Sequence, residues 1–127
     1  MKTILVDAVH TFVSSEGVIF QEMFDLLEKY PNRKVLLTGA SDEQFKKWNL
    51  DKMPYEVFTL KHNPEKISPE YYKTMLEHFG LTKDSVVYFE HSEDAVKSAR
   101  SVGITVYYYN SEKKDLESLK KFLDVNL

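Results

Sequence analysis

At 127 residues, 43% hydrophobic and 29% charged, the chain is long enough for one domain with a substantial core and too short for two. Net charge is −3 and pI about 5.8, with lysines scattered among acids, so no basic stripe forms and nucleic acid is not an expected partner. No apolar stretch approaches the ~18 residues of a membrane span, no basic-then-apolar leader opens the chain and cysteine is absent; the expectation is no membrane and a cytoplasmic location.

Five short runs rich in β-branched and aromatic residues read as buried strands: Thr3–Val6, Lys34–Thr38, Tyr55–Leu60, Ser85–Glu90 and Ile104–Tyr109. Between them the apolar spacing turns helical. Phe20, Met23, Phe24 and Leu27 share one helix face; Tyr72, Met75, Leu76 and Phe79 share another. Ser41 before Asp42-Glu43, Ser68 before Pro69-Glu70 and Ser92 before Glu93-Asp94 have the form of helix N-caps, while Gly80 and Gly103 supply stops. Lys114–Leu123 predicts a terminal amphipathic helix. The one long irregular stretch, Ala8–Gly17, carries the turn signal Ser14-Ser15-Glu16-Gly17 and predicts a short flap hairpin near 8–19 that overhangs the strand ends. Strict alternation with strands apolar on both faces predicts a three-layer α/β/α sandwich around a five-stranded, mainly parallel, Rossmann-like sheet: a single domain over 1–127.

In a parallel sheet all strands finish on one rim, where ligands bind. Asp7 ends the first apolar run, Thr38-Gly39 the second and Glu90-His91-Ser92 the fourth; Lys66 precedes the third helix. A strand-end carboxylate is a candidate phosphoryl-accepting nucleophile. Thr38 with the amides of Gly39 and Ala40 is a candidate cradle for phosphate oxygens, and Lys66 a candidate for neutralising developing charge. Each residue also has a plainer role. Thr38 can cap its own turn, Lys66 can be a solvated loop lysine, and Glu90 and Asp94 can favour a helix start through its dipole.

Taken together, these segments resemble the haloacid dehalogenase superfamily of phosphatases and related hydrolases. Ile4-Leu5-Val6-Asp7-Ala8-Val9-His10-Thr11 is similar to its first motif, an apolar run followed by Asp, any residue, Asp, any residue, Thr; here Val9 stands at the second Asp. Leu36-Leu37-Thr38-Gly39-Ala40-Ser41 resembles the second motif and Lys66-Ile67-Ser68-Pro69-Glu70-Tyr71 the third. The fourth, usually Gly-Asp or Glu-Asp then Ser, reads Glu90-His91-Ser92-Glu93-Asp94. The resemblance covers nearly the whole chain and implies the core fold without a separate cap domain. It implies catalytic roles for Asp7, Thr38 and Lys66, substrate contacts from Thr11, Gly39 and Ala40, and Mg²⁺ held by Asp7, the Val9 carbonyl, and Glu90 or Asp94. The partner it implies is a phosphorylated small molecule or protein.

Two departures fall on catalytic positions. Valine at position 9 cannot transfer a proton, a loss of ~10²–10⁴-fold in rate. Histidine at position 91 replaces an oxygen ligand, which Mg²⁺ strongly prefers, although imidazole would suit Zn²⁺ or Mn²⁺. The expectation is therefore a phosphohydrolase-type site in eroded form, acting through Asp7. The alternative is a non-catalytic module that binds a phosphorylated ligand or a protein. A receiver-like signalling domain is disfavoured, because its acceptor Asp belongs on the third strand, which here ends in Phe58-Thr59-Leu60.

Overall fold

The computed structural model describes residues 1–127. Strands β1 (Thr3–Asp7), β2 (Lys34–Thr38), β3 (Glu56–Thr59), β4 (Val86–Glu90) and β5 (Thr105–Tyr108) alternate with helices α1 (Gln21–Leu27), α2 (Asp42–Lys47), α3 (Pro69–Phe79), α4 (Glu93–Ser101) and α5 (Leu116–Asn126). All neighbouring strands pair in parallel, in the order β3-β2-β1-β4-β5. The strand order therefore reverses between β1 and β4, and their carboxyl ends flank the switch-point crevice where open α/β sheets take ligands. No helix is long and apolar enough to cross a membrane.

Side-chain alternation along the strands builds two cores. Ile4, Val6, Leu36, Val87 and Phe89 face α1 and α5, packing on Met23, Leu27, Leu119 and Leu123. Leu5, Val35, Leu37, Val86 and Tyr88 face α3 and α4, packing on Tyr71, Tyr72, Met75, Val96 and Ala99. Every residue of β1 and β4 is buried, which explains why those runs read as continuous apolar segments broken only at their ends.

The helix starts follow local chemistry. Ser41 closes a reciprocal capping box with Gln44, Ser68 caps α3 ahead of Pro69, and Ser92 caps α4. At the carboxyl-terminal helix the structure departs from the expected start at Lys114. Lys114 adopts a left-handed conformation (φ 50°), which cannot continue into a helix, and the Asp115 side chain accepts the Ser118 N–H at 3.0 Å. Helix α5 therefore begins at Leu116 and runs to Asn126.

In the 8–19 stretch the antiparallel pairing is short: the Ser14 N–H donates to the Val18 carbonyl at 2.8 Å and the Phe20 N–H to the Phe12 carbonyl at 2.9 Å. Val13 makes an isolated antiparallel bridge to Ile19, and Phe12 and Val13 are buried in the core beside α1. The segment is thus an anchored loop whose tip, Ser14–Gly17, turns through Gly17 at φ 78°.

Candidate active site

Asp7 and Glu90 end the two central strands and are 2% and 1% exposed, respectively. Two buried carboxylates this close require compensation. Lys66, which enters from the loop before α3, supplies it: Nζ lies 2.7 Å from Asp7 Oδ1 and 2.6 Å from Glu90 Oε1, and also donates to the Leu37 carbonyl at 3.2 Å. His91 closes the other side. Its Nδ1 is in hydrogen-bond contact with Asp7 Oδ2 and lies 3.2 Å from Glu90 Oε2, while its backbone N–H reaches Asp7 Oδ2 at 3.3 Å.

Burial alone would raise the Asp7 carboxyl, but the Lys66 charge and the His91 contact prevail and hold it well below the usual carboxylate range. Burial likewise works against the Lys66 ammonium, and the charges of Asp7 and Glu90 overcome it, leaving Lys66 well above its ordinary value. His91 is pushed up to about 10, chiefly by its hydrogen bonds to Asp7 and Glu90, against partial burial. All three shifts favour the charged forms of Asp7, Lys66 and His91 near neutral pH.

The two Asp7 oxygens differ in their surroundings. Oδ2 accepts from Thr11 Oγ1 at 2.7 Å and from the backbone N–H and ring Nδ1 of His91, whereas Oδ1 accepts from Lys66. Asp7, Lys66, His91 and Thr38-Gly39-Ala40 line a crevice of about 250 Å³. Tyr71 donates to the Thr38 carbonyl at 2.7 Å, and Thr59 Oγ1 donates to the Ala40 carbonyl at 2.6 Å, so this turn is pinned at both ends. The Thr38 hydroxyl accepts the Ala40 N–H at 3.2 Å, closing its own turn. Thr11 is turned onto Asp7 and orients it.

Asp94 sits exposed in the first turn of α4 and does not join the cluster; Glu90 does. The Val9 side chain lines the crevice without offering a proton. Three residues not singled out from the sequence as site residues also line it: Trp48, His62 and Glu65. His62 is held by Gln44 Oε1 at 2.6 Å and Glu65 Oε2 at 3.0 Å, after a pair of left-handed residues at Lys61 and His62. His10, also left-handed at φ 74°, presents its ring edge to His91 with centroids 5.4 Å apart.

The donor set does not suit Mg²⁺. One nitrogen of His91 stands where an oxygen is wanted, and all four carboxylate oxygens already face protein donors. An imidazolium about 4 Å from a divalent ion would be repelled by roughly 8 kcal/mol at an effective dielectric of ~20.

No family model and no curated protein matches this sequence. Solved structures do match it. A HAD family enzyme from Bacteroides thetaiotaomicron, an aspartate-to-alanine mutant in complex with magnesium and inorganic phosphate, aligns with a TM-score of 0.74 at 14% identity, covering 94% of this chain and 98% of that one. A HAD-superfamily hydrolase of subfamily IA from Geobacter sulfurreducens aligns with a TM-score of 0.63 at 14% identity, covering 91% of this chain and 99% of that one. Sheet order, strand-end residues and these alignments agree: the chain has the haloacid dehalogenase-like fold, the fold of known hydrolases and phosphatases.

Proposed function

We propose that this domain is a phosphohydrolase-type protein in which Asp7 remains the phosphoryl acceptor, and that its turnover is confined to phosphate compounds whose leaving group departs without a proton. The observation that carries this reading is the asymmetry of Asp7. Oδ2 is fixed by Thr11 and His91, while Oδ1, ionised and held by Lys66 alone, is left to attack a phosphorus atom in the crevice.

In the first step Asp7 Oδ1 forms a bond to phosphorus as the bond to the leaving oxygen breaks, giving an aspartyl phosphate and an oxyanion. Water then attacks that phosphorus, releasing inorganic phosphate and regenerating the carboxylate. Lys66, next to Oδ1, offsets negative charge gathered on the transferred group. Because Val9 cannot protonate the departing oxygen, an alkoxide would leave with great difficulty, whereas an acylate or a nitrophenolate leaves unaided.

The test compares acetyl phosphate and p-nitrophenyl phosphate with an alkyl phosphate. The first two are expected to be hydrolysed at least ~10²-fold faster than the third, the penalty of a missing general acid, and Asp7→Asn is expected to abolish turnover of all. Turnover that survives Asp7→Asn would refute the reading.

A second reading, a non-catalytic phosphate-binding module, is favoured by one observation: Val9 and His91 together replace both the proton carrier and the oxygen ligand implied by the sequence motifs. It predicts thermal stabilisation by inorganic phosphate with no turnover of any of the three compounds.

A further inference from the structure

We propose that His91 takes the place of a divalent cation in this crevice, its Nδ1 bridging Asp7 and Glu90 where an ion would, so that the site binds no metal.

Placement is the first argument. The ligand-type atoms of Asp7, Glu90 and His91 lie within 4.8 Å of one another, and Nδ1 of His91 contacts one oxygen of each carboxylate, the point from which a bridging ion would hold both. Saturation is the second. Asp7 Oδ2 also accepts from Thr11 and the His91 backbone, Glu90 Oε1 from Tyr88 and Lys66, and Glu90 Oε2 from the Ser92 N–H at 3.0 Å. Nδ1 faces only acceptors, so it presents a proton to them and has no lone pair for a metal.

Ligand type is the third argument. The sequence motif that this segment resembles carries Asp, an oxygen ligand, at position 91; here an imidazole stands there with Nδ1 turned inward onto both carboxylates, so the exchange removes a metal ligand and puts a hydrogen-bond donor in its place.

The inference concerns the same crevice as the proposed reaction, but its test reads metal binding and not turnover, so the two can fail separately. The wild-type protein is melted, and titrated by calorimetry, with Mg²⁺, Mn²⁺ and Zn²⁺ in turn and with EDTA. The expected result is an unchanged Tm and no site-specific heat. His91→Asp sets a third carboxylate against Asp7 and Glu90 in place of the donor; it is expected to melt lower than wild type in EDTA and to regain Tm progressively with Mg²⁺. His91→Asn, which keeps an N–H donor on a shorter side chain, is expected to melt below wild type and to ignore metal. A metal-dependent rise in the wild-type Tm, or a folded His91→Asp protein indifferent to Mg²⁺, overturns the proposal. If His91→Asp does not fold with or without Mg²⁺, the wild-type titration decides alone.

Discussion

Lys66 and Asp7 stand 59 positions apart in the sequence and 2.7 Å apart in space, and the same ammonium lies 2.6 Å from Glu90. Lys66→Met leaves two ionised carboxylates buried together without that compensation. We expect a loss of about 3–5 kcal/mol in urea unfolding, the range for breaking a buried ion pair by removing one partner. Adding Glu90→Gln should recover a substantial part of it, a coupling that a double-mutant cycle would expose. Equal and additive losses would show that the three groups are not linked.

The pH dependence has a defined sign. The His91 value is raised from 6.5 to about 10, so its contribution to stability is fully present below pH 6.5 and is lost as pH rises through about 10. Asp7 is lowered, so its contribution is present above its ordinary 3.8 and is lost as pH falls through the depressed value. The titratable groups around His91 are Asp7, Glu90, Lys66 and, edge-on, His10. Denaturation of wild type and His91→Gln should therefore differ most near and just below pH 6.5, and the gap should narrow steadily as pH rises towards about 10. A gap that widens with alkalinity would contradict this.

Two buried tyrosines beside the site give a paired prediction. Tyr88 donates to the Glu90 carboxylate, while the Tyr72 hydroxyl is buried without a hydrogen-bond partner. Tyr88→Phe should cost about 1.5–3 kcal/mol, the range for a hydrogen bond to a charged group. Tyr72→Phe, which deletes an unpaired polar atom, should be neutral or stabilising. Chemical denaturation of the two variants side by side checks both.

Much of this architecture was legible in the chain itself. Continuous apolar runs located β1, β2 and β4, because strands buried on both faces have no polar alternation to blur them, while β-branched and aromatic residues marked the partly exposed edge strands β3 and β5. Parallel pairing then forced Asp7 and Glu90 onto one rim, and Ser68-Pro69 marked the helix that brings Lys66 to them. Other features depended on backbone geometry that residue type does not announce. The left-handed conformations at His10 and His62 accompany rings that line the crevice, whereas Lys61, equally left-handed, pairs with the exposed Asp42 at 3.0 Å; residue type alone marks none of these turns. The same blindness misplaced the start of α5 by two residues, since nothing in residue type marks Lys114 as left-handed. Asp94 and Glu90 were equal candidates in sequence. Only their position relative to the strand end distinguishes a buried member of the cluster from an exposed first-turn acid.

Gly17 offers a test of the loop after β1. Its φ is 78°, and a Cβ there would lie 2.4 Å from Asn49 Nδ2 and 3.1 Å from the Trp48 backbone carbon. Asn49 also donates to the Gly17 carbonyl at 3.3 Å, so its side chain is held in place. Gly17→Ala should lower stability by roughly 1–3 kcal/mol, the cost of a residue forced into left-handed backbone. An unchanged urea midpoint would show that this contact yields freely.

Because one lysine holds the ends of the two central strands from a loop that belongs to neither, the crevice cannot loosen in isolation. Transient opening of the 60–68 loop withdraws the counter-charge from the seam between β1 and β4, and the amides along that seam should then exchange with solvent in step with the loop. Hydrogen exchange would read this as one cooperative unit spanning distant parts of the chain. A protein built this way resists local breathing at its crevice, and it places the shape of that crevice and the durability of the sheet on the same few side chains.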